Sequence, residues 1–388
     1  MTKGPIGVLG AGTMGAGIAQ LGCLGGFEVR LHDADPQALA TGADRLEAAL
    51  AKGAGRGLWS AGDAAAAVGR LTTTLNAGEL AGSELVIEAA PEDLELKRDL
   101  FDRLAAICGP EAILATNTSS LPVSEIAARV DAPERVLGMH FFNPPALMRL
   151  VEIVAGERTS EYTVRRAAAL AREMKREPVR ATDSPGFIVN RCNRPYSLEA
   201  LRMLGERFAT HSEIDAAMRG AGYRMGPFEL LDLIGIDVNL EVARSFYRQR
   251  PEPRWEPHPI QEEMVEAGRL GRKTGAGFYE YRAGRKVEPV PPPGRRPPDP
   301  GAIVERIVAQ LVNEATFAAD EGVAKPDDID TAMRLGLNHP RGPFEWQREL
   351  GADVVVAVLN ELAESQREPE RYRPARGLLA ATAGSGQD

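Results

Sequence analysis

This chain has little of what marks several functional classes. It holds three cysteines in 388 residues, Cys23, Cys108 and Cys192. Their wide spacing suits neither a metal site nor a redox pair, so we expect no metal and free thiols in a reducing compartment, the cytoplasm. No apolar run is long enough for a transmembrane helix. The opening Met1-Thr2-Lys3-Gly4-Pro5 runs straight into an apolar strand and leaves no room for a secretory leader. Positive charge is also short: 46 Lys and Arg against 55 Asp and Glu give a net charge of −9. With no basic block, neither nucleic acid nor a membrane is an expected partner, and any phosphate site must be local.

What is present is the composition of a soluble globular protein, 44% hydrophobic and 26% charged. A length of 388 residues exceeds one hydrophobic core and implies two or three domains. Ile6-Gly7-Val8-Leu9 reads as a buried parallel strand, followed by Gly10-Ala11-Gly12-Thr13-Met14-Gly15 and a helix rich in small residues to Gly25. Further strands are expected at Val29–Asp33, Leu85–Ile87, Ile113–Ala115, Arg135–Met139 and Val151–Ile153, with helical patterns such as Leu94–Ile107 between them. Alternation of this kind predicts a doubly wound parallel sheet. After Asp183-Ser184-Pro185-Gly186 the strand signals fade and helical patterns take over. Glu288 to Gly301 holds seven prolines and reads as a stiff linker.

The sequence beyond that linker repeats the sequence before it. Ile188-Val189-Asn190-Arg191 resembles Ile303-Val304-Glu305-Arg306, Ile214-Asp215-Ala216-Ala217-Met218 resembles Ile329-Asp330-Thr331-Ala332-Met333, and Gly226-Pro227-Phe228-Glu229 matches Gly342-Pro343-Phe344-Glu345. The expected fold class is therefore α/β: a Rossmann-type doubly wound parallel sheet over 1–184, then an all-α domain in two tandem copies. The copies fall at 185–287 and 303–380, with the linker at 288–302 and a tail at 381–388.

The glycine motif has the right context for a dinucleotide, with a strand before it, a helix after it, and Asp33 near the expected distance. Gly10 would make the tight turn, Gly12 would admit the pyrophosphate, and Gly15 would let the helix pack closely. Asp33 would hold the adenosine ribose and repel a 2′-phosphate, favouring NAD over NADP; its alternative reading is a cap. Thr116-Asn117-Thr118-Ser119-Ser120, His140-Phe141-Phe142-Asn143-Pro144-Pro145 and Glu152 bring a hydroxyl, an imidazole, an amide and a carboxylate into one strand-turn-strand region. That set can move a proton off an alcohol. Each member has a plainer reading: Glu152 as the exposed face of a strand, Asn117–Ser120 as a simple turn, His140 as a core histidine. His32 reads as structural, and His211 and His258 as surface residues.

In order along residues 4–281, the chain carries Gly10–Gln20, Asn117–Ser120, His140–Pro145, Pro185–Arg191, Met225–Asp232 and Lys273–Tyr279 as six motifs. In these it resembles the L-3-hydroxyacyl-CoA dehydrogenases, weakly so through the second copy. The resemblance implies NAD as cofactor and an acyl-CoA substrate. It makes His140 the base, Glu152 its orienting partner, and Ser119 and Asn190 the hydrogen-bond donors to the reacting oxygen. Asn143 would lie near the nicotinamide, and Glu92, Lys97 and Lys273 match cofactor contacts. The CoA contacts expected near Ala43–Lys52 match less well, with Ala48-Ala49 where a serine is sought. Single-copy members pair through the helical domain, so the second copy implies an internal pseudo-dimer and leaves further homo-oligomerisation open. Two alternatives stand beside this. One is a dehydrogenase of a non-CoA hydroxy acid, as in the gulonate dehydrogenase and lambda-crystallin branch. The other is a non-catalytic NAD-binding protein.

Overall fold

The computed structural model describes residues 3–289 and 296–384, so part of the expected linker and the end of the expected tail lie outside the described residues. The chain divides into two compact units, Met1–Phe187 and Ile188–Asp388. Among the described residues no helix is long and apolar enough to cross a membrane.

The first unit is built on one sheet of eight described strands: β1 (Ile6–Leu9), β2 (Val29–His32), β3 (Leu71–Thr74), β4 (Leu85–Glu88), β5 (Ile113–Thr116), β6 (Val136–Phe141), β7 (Leu150–Ala155) and β8 (Glu177–Thr182). Their order is β3-β2-β1-β4-β5-β6-β7-β8. The chain builds outward from β1 on one side, then returns to place β4 on the other. The carboxyl ends of β1 and β4 therefore flank a topological switch point, where open α/β sheets bind ligands. Helices α1 (Thr13–Leu24), α2 (Pro36–Gly55), α3 (Ala61–Val68), α4 (Leu94–Ile107), α5 (Val123–Ile126) and α6 (Glu161–Glu173) complete the unit. Residues Ile6 to Leu9 of β1 are all buried, as their unbroken apolar run requires.

The sheet departs from the all-parallel expectation in one place. β7 runs antiparallel to β6, with His140 directly opposite Glu152, and β8 then lies parallel to β7. The connection Phe142–Arg149 is too short for a crossover, which needs about a dozen residues, so the chain doubles back. His140 accordingly lies within β6 rather than after it, and Arg135 falls in a 3-10 turn.

The second unit is mostly helical: α7 (Val189–Cys192), α8 (Arg194–Gly205), α9 (His211–Gly220), α10 (Pro227–Ile234), α11 (Ile236–Gln249), α12 (Pro259–Glu266), α13 (Pro300–Asp320), α14 (Pro326–Leu337), α15 (Pro343–Leu350), α16 (Ala352–Ser365) and α17 (Arg376–Gly384). A small hairpin, β9 (Glu280–Arg282) with β10 (Arg285–Val287), was not expected from sequence. α13 begins inside the expected linker because Asp299 caps it through the Gly301 N–H at 3.0 Å and Pro300 suits the first helical position. α17 carries the fold into the expected tail. His211 and His258 are half-buried, not surface residues; His211 packs edge-on against Tyr279, and burial pushes the pKa of His258 down to about 4.

One construction occurs twice in this unit. Asp215 accepts the Phe228 and Glu229 N–H groups at 2.9 and 3.0 Å, and Asp330 accepts that of Phe344 at 2.8 Å. A Cβ on Gly226 or Gly342 would lie 2.3 or 2.2 Å from those carboxylates, which is why glycine opens each Gly-Pro-Phe-Glu. α13 is buried nearly all round and packs on α8, α9, α15, α16 and α17. Arg191 reaches from α7 to Glu314 (2.8 Å) and Glu321 (3.0 Å) on or just past α13. Arg306 reaches back from α13 to Glu199 (2.5 Å) and Glu206 (2.7 Å) on or just past α8. The differences 306 − 191, 314 − 199 and 321 − 206 are all 115. Each arginine thus meets the counterparts of the other's two glutamates. Glu199 is buried, so Arg306→Met leaves it short of a cation. We expect a loss of about 3 kcal/mol, measured by urea unfolding with Trp255 and Trp346 as reporters.

Candidate active site

The glycine loop joins β1 to α1. Gly10 takes φ +100°, and a Cβ there would lie 2.7 Å from the Ala89 carbonyl oxygen. A Cβ on Gly15 would sit 1.7 Å from the Gly10 carbonyl oxygen, so α1 can start this close to β1 only with glycine. Gly12 differs from both: a Cβ there would meet nothing within 4 Å. It is the N-cap of α1, with no side-chain cap and no acidic residue in the first turn. Open space over an uncapped helix N-terminus suits an anion such as a pyrophosphate. Asp33, at the end of β2, accepts the Ala11 N–H at 2.8 Å and so lies against this loop. The cap of α2 is Asp35, not Asp33. These residues fit a dinucleotide.

The next two strand ends share a polar cluster. Glu88 ends β4 fully buried and accepts from Lys97 Nζ (2.6 Å), Thr116 Oγ1 (2.7 Å) and the Ala90 N–H (2.6 Å). Glu92, in the following loop, accepts from Thr118 Oγ1 (2.6 Å), the Ser119 N–H (3.0 Å) and Ser120 Oγ (3.0 Å). Burial tends to raise the Glu92 carboxyl, but the Thr118 hydroxyl, the Lys97 charge and the serine donors outweigh it and hold it below the usual range. Asn117–Ser120 is therefore a turn gathered around one carboxylate. Lys97 is only 1% exposed, with Nζ also 3.2 Å from the Ala90 carbonyl and 3.5 Å from Glu92. It braces Glu92 from beneath instead of reaching outward.

His140 Nδ1 lies 2.6 Å from Glu152 Oε2, and Glu152 is 0% exposed. Glu152 is thus not on an exposed strand face. The imidazole packs against the rings of Phe142 (4.5 Å) and Phe187 (5.8 Å). Asn117 Oδ1 accepts the Phe141 N–H at 2.9 Å, tying the end of β6 to the β5 loop. Asn143 follows on the exposed loop, with a cis peptide bond to Pro144. His32 Nδ1 lies 3.0 Å from the Thr74 carbonyl, a structural contact.

One unit thus gathers Gly10, Gly12, Gly15, Asp33, Glu92, Lys97, Ser119, His140, Asn143 and Glu152 at the ends of β1, β2, β4, β5 and β6 and on the facing β7. Asn190 and Lys273 belong to the other unit, where Lys273 pairs with the Asp237 carboxylate at 2.6 Å. Sequence reasoning missed three supporting residues: Glu88, Asn117 as a brace for β6, and Asp183. The last accepts the Val123 and Ser124 N–H groups at 3.0 and 2.7 Å and caps α5. The signal for Glu88 was a charge closing an apolar strand.

Fold and site together define an NAD-dependent dehydrogenase. The described family "3-hydroxyacyl-CoA dehydrogenase, NAD binding domain" matches residues 5–184, and "3-hydroxyacyl-CoA dehydrogenase, C-terminal domain" matches 186–281 and 301–382. The chain is 38% identical to a 3-hydroxyadipyl-CoA dehydrogenase of Escherichia coli (strain K12), with 95% of each covered. It is 40% identical to a 3-hydroxybutyryl-CoA dehydrogenase of Clostridioides difficile, covering 71% of this chain and 98% of that one. The crystal structure of a 3-hydroxybutyryl-CoA dehydrogenase from Escherichia coli K12 superposes with a TM-score of 0.93 at 36% identity, covering both chains fully. This chain belongs to the 3-hydroxyacyl-CoA dehydrogenase family.

The glycine geometry yields a test. Gly15→Ala clashes with backbone and should lower Tm by several degrees. Gly12→Ala meets open space and should leave Tm within about 2 °C, yet weaken NADH binding about tenfold or more. Thermal melts and NADH titration of both variants check this.

Proposed function

We propose that this chain oxidises the 3-hydroxyl of an L-3-hydroxyacyl-CoA to the 3-ketoacyl-CoA, reversibly, with His140 as general base and Glu152 as its partner. The observation that carries this is the buried His140–Glu152 pair, in register across β6 and β7, at the sheet edge that also holds the glycine loop. Glu152 fixes Nδ1 as the protonated nitrogen, which leaves Nε2 to take the hydroxyl proton. Charge developing on the oxygen is stabilised by donors from Ser119 and Asn190. Glu152 then stabilises the imidazolium. In the reverse direction His140 returns the proton to the oxygen.

NAD, when bound, supplies the hydride acceptor. Gly12 would admit its pyrophosphate, with Gly10 shaping the turn and Gly15 seating the helix, and Asp33 would hold its adenosine ribose; the Asp33 charge disfavours a 2′-phosphate. Glu92, braced by Lys97, together with Asn143 and Lys273 completes the cofactor set, a reading supported by family membership. The acyl-CoA substrate follows from the same membership and from the relatives named for 3-hydroxyadipyl- and 3-hydroxybutyryl-CoA. The reaction is placed in the cytoplasm, consistent with the buried free thiols of Cys23, Cys108 and Cys192.

The second helical copy stands in for a partner subunit and carries no chemistry of its own. The reciprocal pairing of Arg191 and Arg306 supports this, because a two-fold interface makes residue i meet j while j meets i. At the Asn190 position the second copy has Glu305, whose carboxylate would repel an alkoxide.

Two measurements test the reading. His140→Gln should keep NADH binding but lose turnover by about 10²–10⁴-fold; near-wild-type kcat would remove the histidine from the mechanism. Asn190→Ala should impair kcat while Glu305→Ala stays near wild type, and equal effects would overturn the division of labour between the copies.

A further inference from the structure

α1 ends at Leu24, about 18 Å along its axis from the Gly12 cap, and a cavity of about 340 Å³ opens there. It lies wholly within the first unit. Its apolar walls include Leu21 and Leu24 of α1, Trp59 between α2 and α3, and Leu147. Leu147 belongs to the Phe142–Arg149 loop that follows His140. Pro145 of the same loop crosses α1 at Gly17, where a Cβ would lie 2.9 Å from the proline ring. The cavity therefore continues along α1 from that crossing, away from the glycine loop and its dinucleotide.

Three cations stand on the wall: Arg149, Lys175 and Arg176. Among the described residues neither Arg149 nor Lys175 forms an ion pair. Arg176 bonds only carbonyl oxygens, those of Met148 (2.8 Å), Met174 (3.3 Å) and Pro145 (3.4 Å). Burial and the Arg149 charge push its pKa down, so two guanidinium groups oppose one another with no carboxylate between them. Lys175 takes φ +59°, where glycine would be less strained, and no ion pair offsets that strain. Asp63 is the one carboxylate on the wall. It is engaged at the start of α3, where it accepts the Ser60 N–H at 3.2 Å and the Ser60 hydroxyl at 2.7 Å. Trp59 donates Nε1–H to the Leu50 carbonyl at 2.8 Å, which fixes the indole. Phosphate oxygens suit the cations, and a base suits the indole.

We infer that this cavity holds the 3′-phosphorylated adenosine diphosphate end of the CoA thioester, with Arg149, Lys175 and Arg176 on its phosphates and Trp59 against its base. This rests on the acyl-CoA reading of the substrate. The helix face where CoA contacts are expected, Ala43–Lys52, sets Asp44 and Glu47 beside Arg45 and Lys52 and so carries no net charge. The cavity supplies the local positive charge that this face lacks. A pantetheine arm spans roughly 15 Å, and the loop that leaves the catalytic strand just past His140 reaches the cavity at Leu147.

The test compares acetoacetyl-CoA with S-acetoacetyl-N-acetylcysteamine, which keeps the thioester and lacks the nucleotide, each with NADH. Arg149 and Lys175 are both exposed, so the double variant R149E/K175E should fold. In it, KM for acetoacetyl-CoA should rise at least about tenfold while kcat changes less than about twofold. Its kcat/KM for the truncated thioester should match wild type. K52E should raise KM for acetoacetyl-CoA less than the double variant does. Adenosine 3′,5′-bisphosphate should compete with acetoacetyl-CoA and not with NADH, and its inhibition should weaken about tenfold in the double variant. If the double variant acts equally on both thioesters or on neither, or if K52E carries the larger loss, this inference falls and the dehydrogenase reading stands. If the wild type reduces neither thioester, both fall.

Discussion

The site depends on the return of β7 along β6. That antiparallel register sets Glu152 opposite His140, and the two side chains meet at 2.6 Å with the carboxylate fully enclosed. A carboxylate removed from water is strongly disfavoured unless it is paired. Neither partner can be dropped alone without leaving the other in an unfavourable place. The pair is fixed by strand geometry, not by a loop, which suits a group that must meet a hydroxyl within hydrogen-bond reach. The short Phe142–Arg149 connection forces the reversal and hence the whole arrangement.

Around this pair, hydrogen bonds link the neighbouring strand ends into one frame. The Gly10 turn packs on Ala89. Ala90 and Lys97 hold Glu88, which also binds Thr116 on β5. Asn117, next in the chain, holds the Phe141 N–H, one residue past His140. The glycine loop and the histidine are thus positioned by a single connected set of contacts across β1, β4, β5 and β6. Glu92, on the rim, orders the turn that carries Ser119. Preorganised donors of this kind cost no rearrangement when charge develops on a substrate oxygen.

Much of this was legible in the sequence, for identifiable reasons. β1, β4, β5, β6 and β7 announce themselves as largely apolar runs because each is buried on both faces, whereas β2 shows only as Val29 and Leu31 alternating with Arg30 and His32. Of the strands in this sheet, sequence reasoning missed β3 and β8, its two edges. Leu71-Thr72-Thr73-Thr74 is half exposed, and Glu177–Thr182 alternates around a proline, so neither gives a continuous hydrophobic signal. The antiparallel turn was encoded only in loop length. His140 and Glu152 stood out because a histidine and a carboxylate interrupt apolar strands. Asn117 and Asp183 did not, since an amide bracing a strand and a carboxylate capping a distant helix look like turn residues until the fold brings their partners together. The reciprocal arginines were hidden for a similar reason. The repeat of Arg191 by Arg306 was visible, but the exchange of their glutamates exists only after the helices pack.

The central claim is that this sheet edge carries out hydride and proton transfer at the 3-position of an acyl thioester. The most direct measurement is reduction of acetoacetyl-CoA by NADH with the purified protein, followed by the configuration of the product. The account predicts NADH consumption that yields L-3-hydroxybutyryl-CoA. No consumption of NADH, or formation of the D enantiomer, would contradict it.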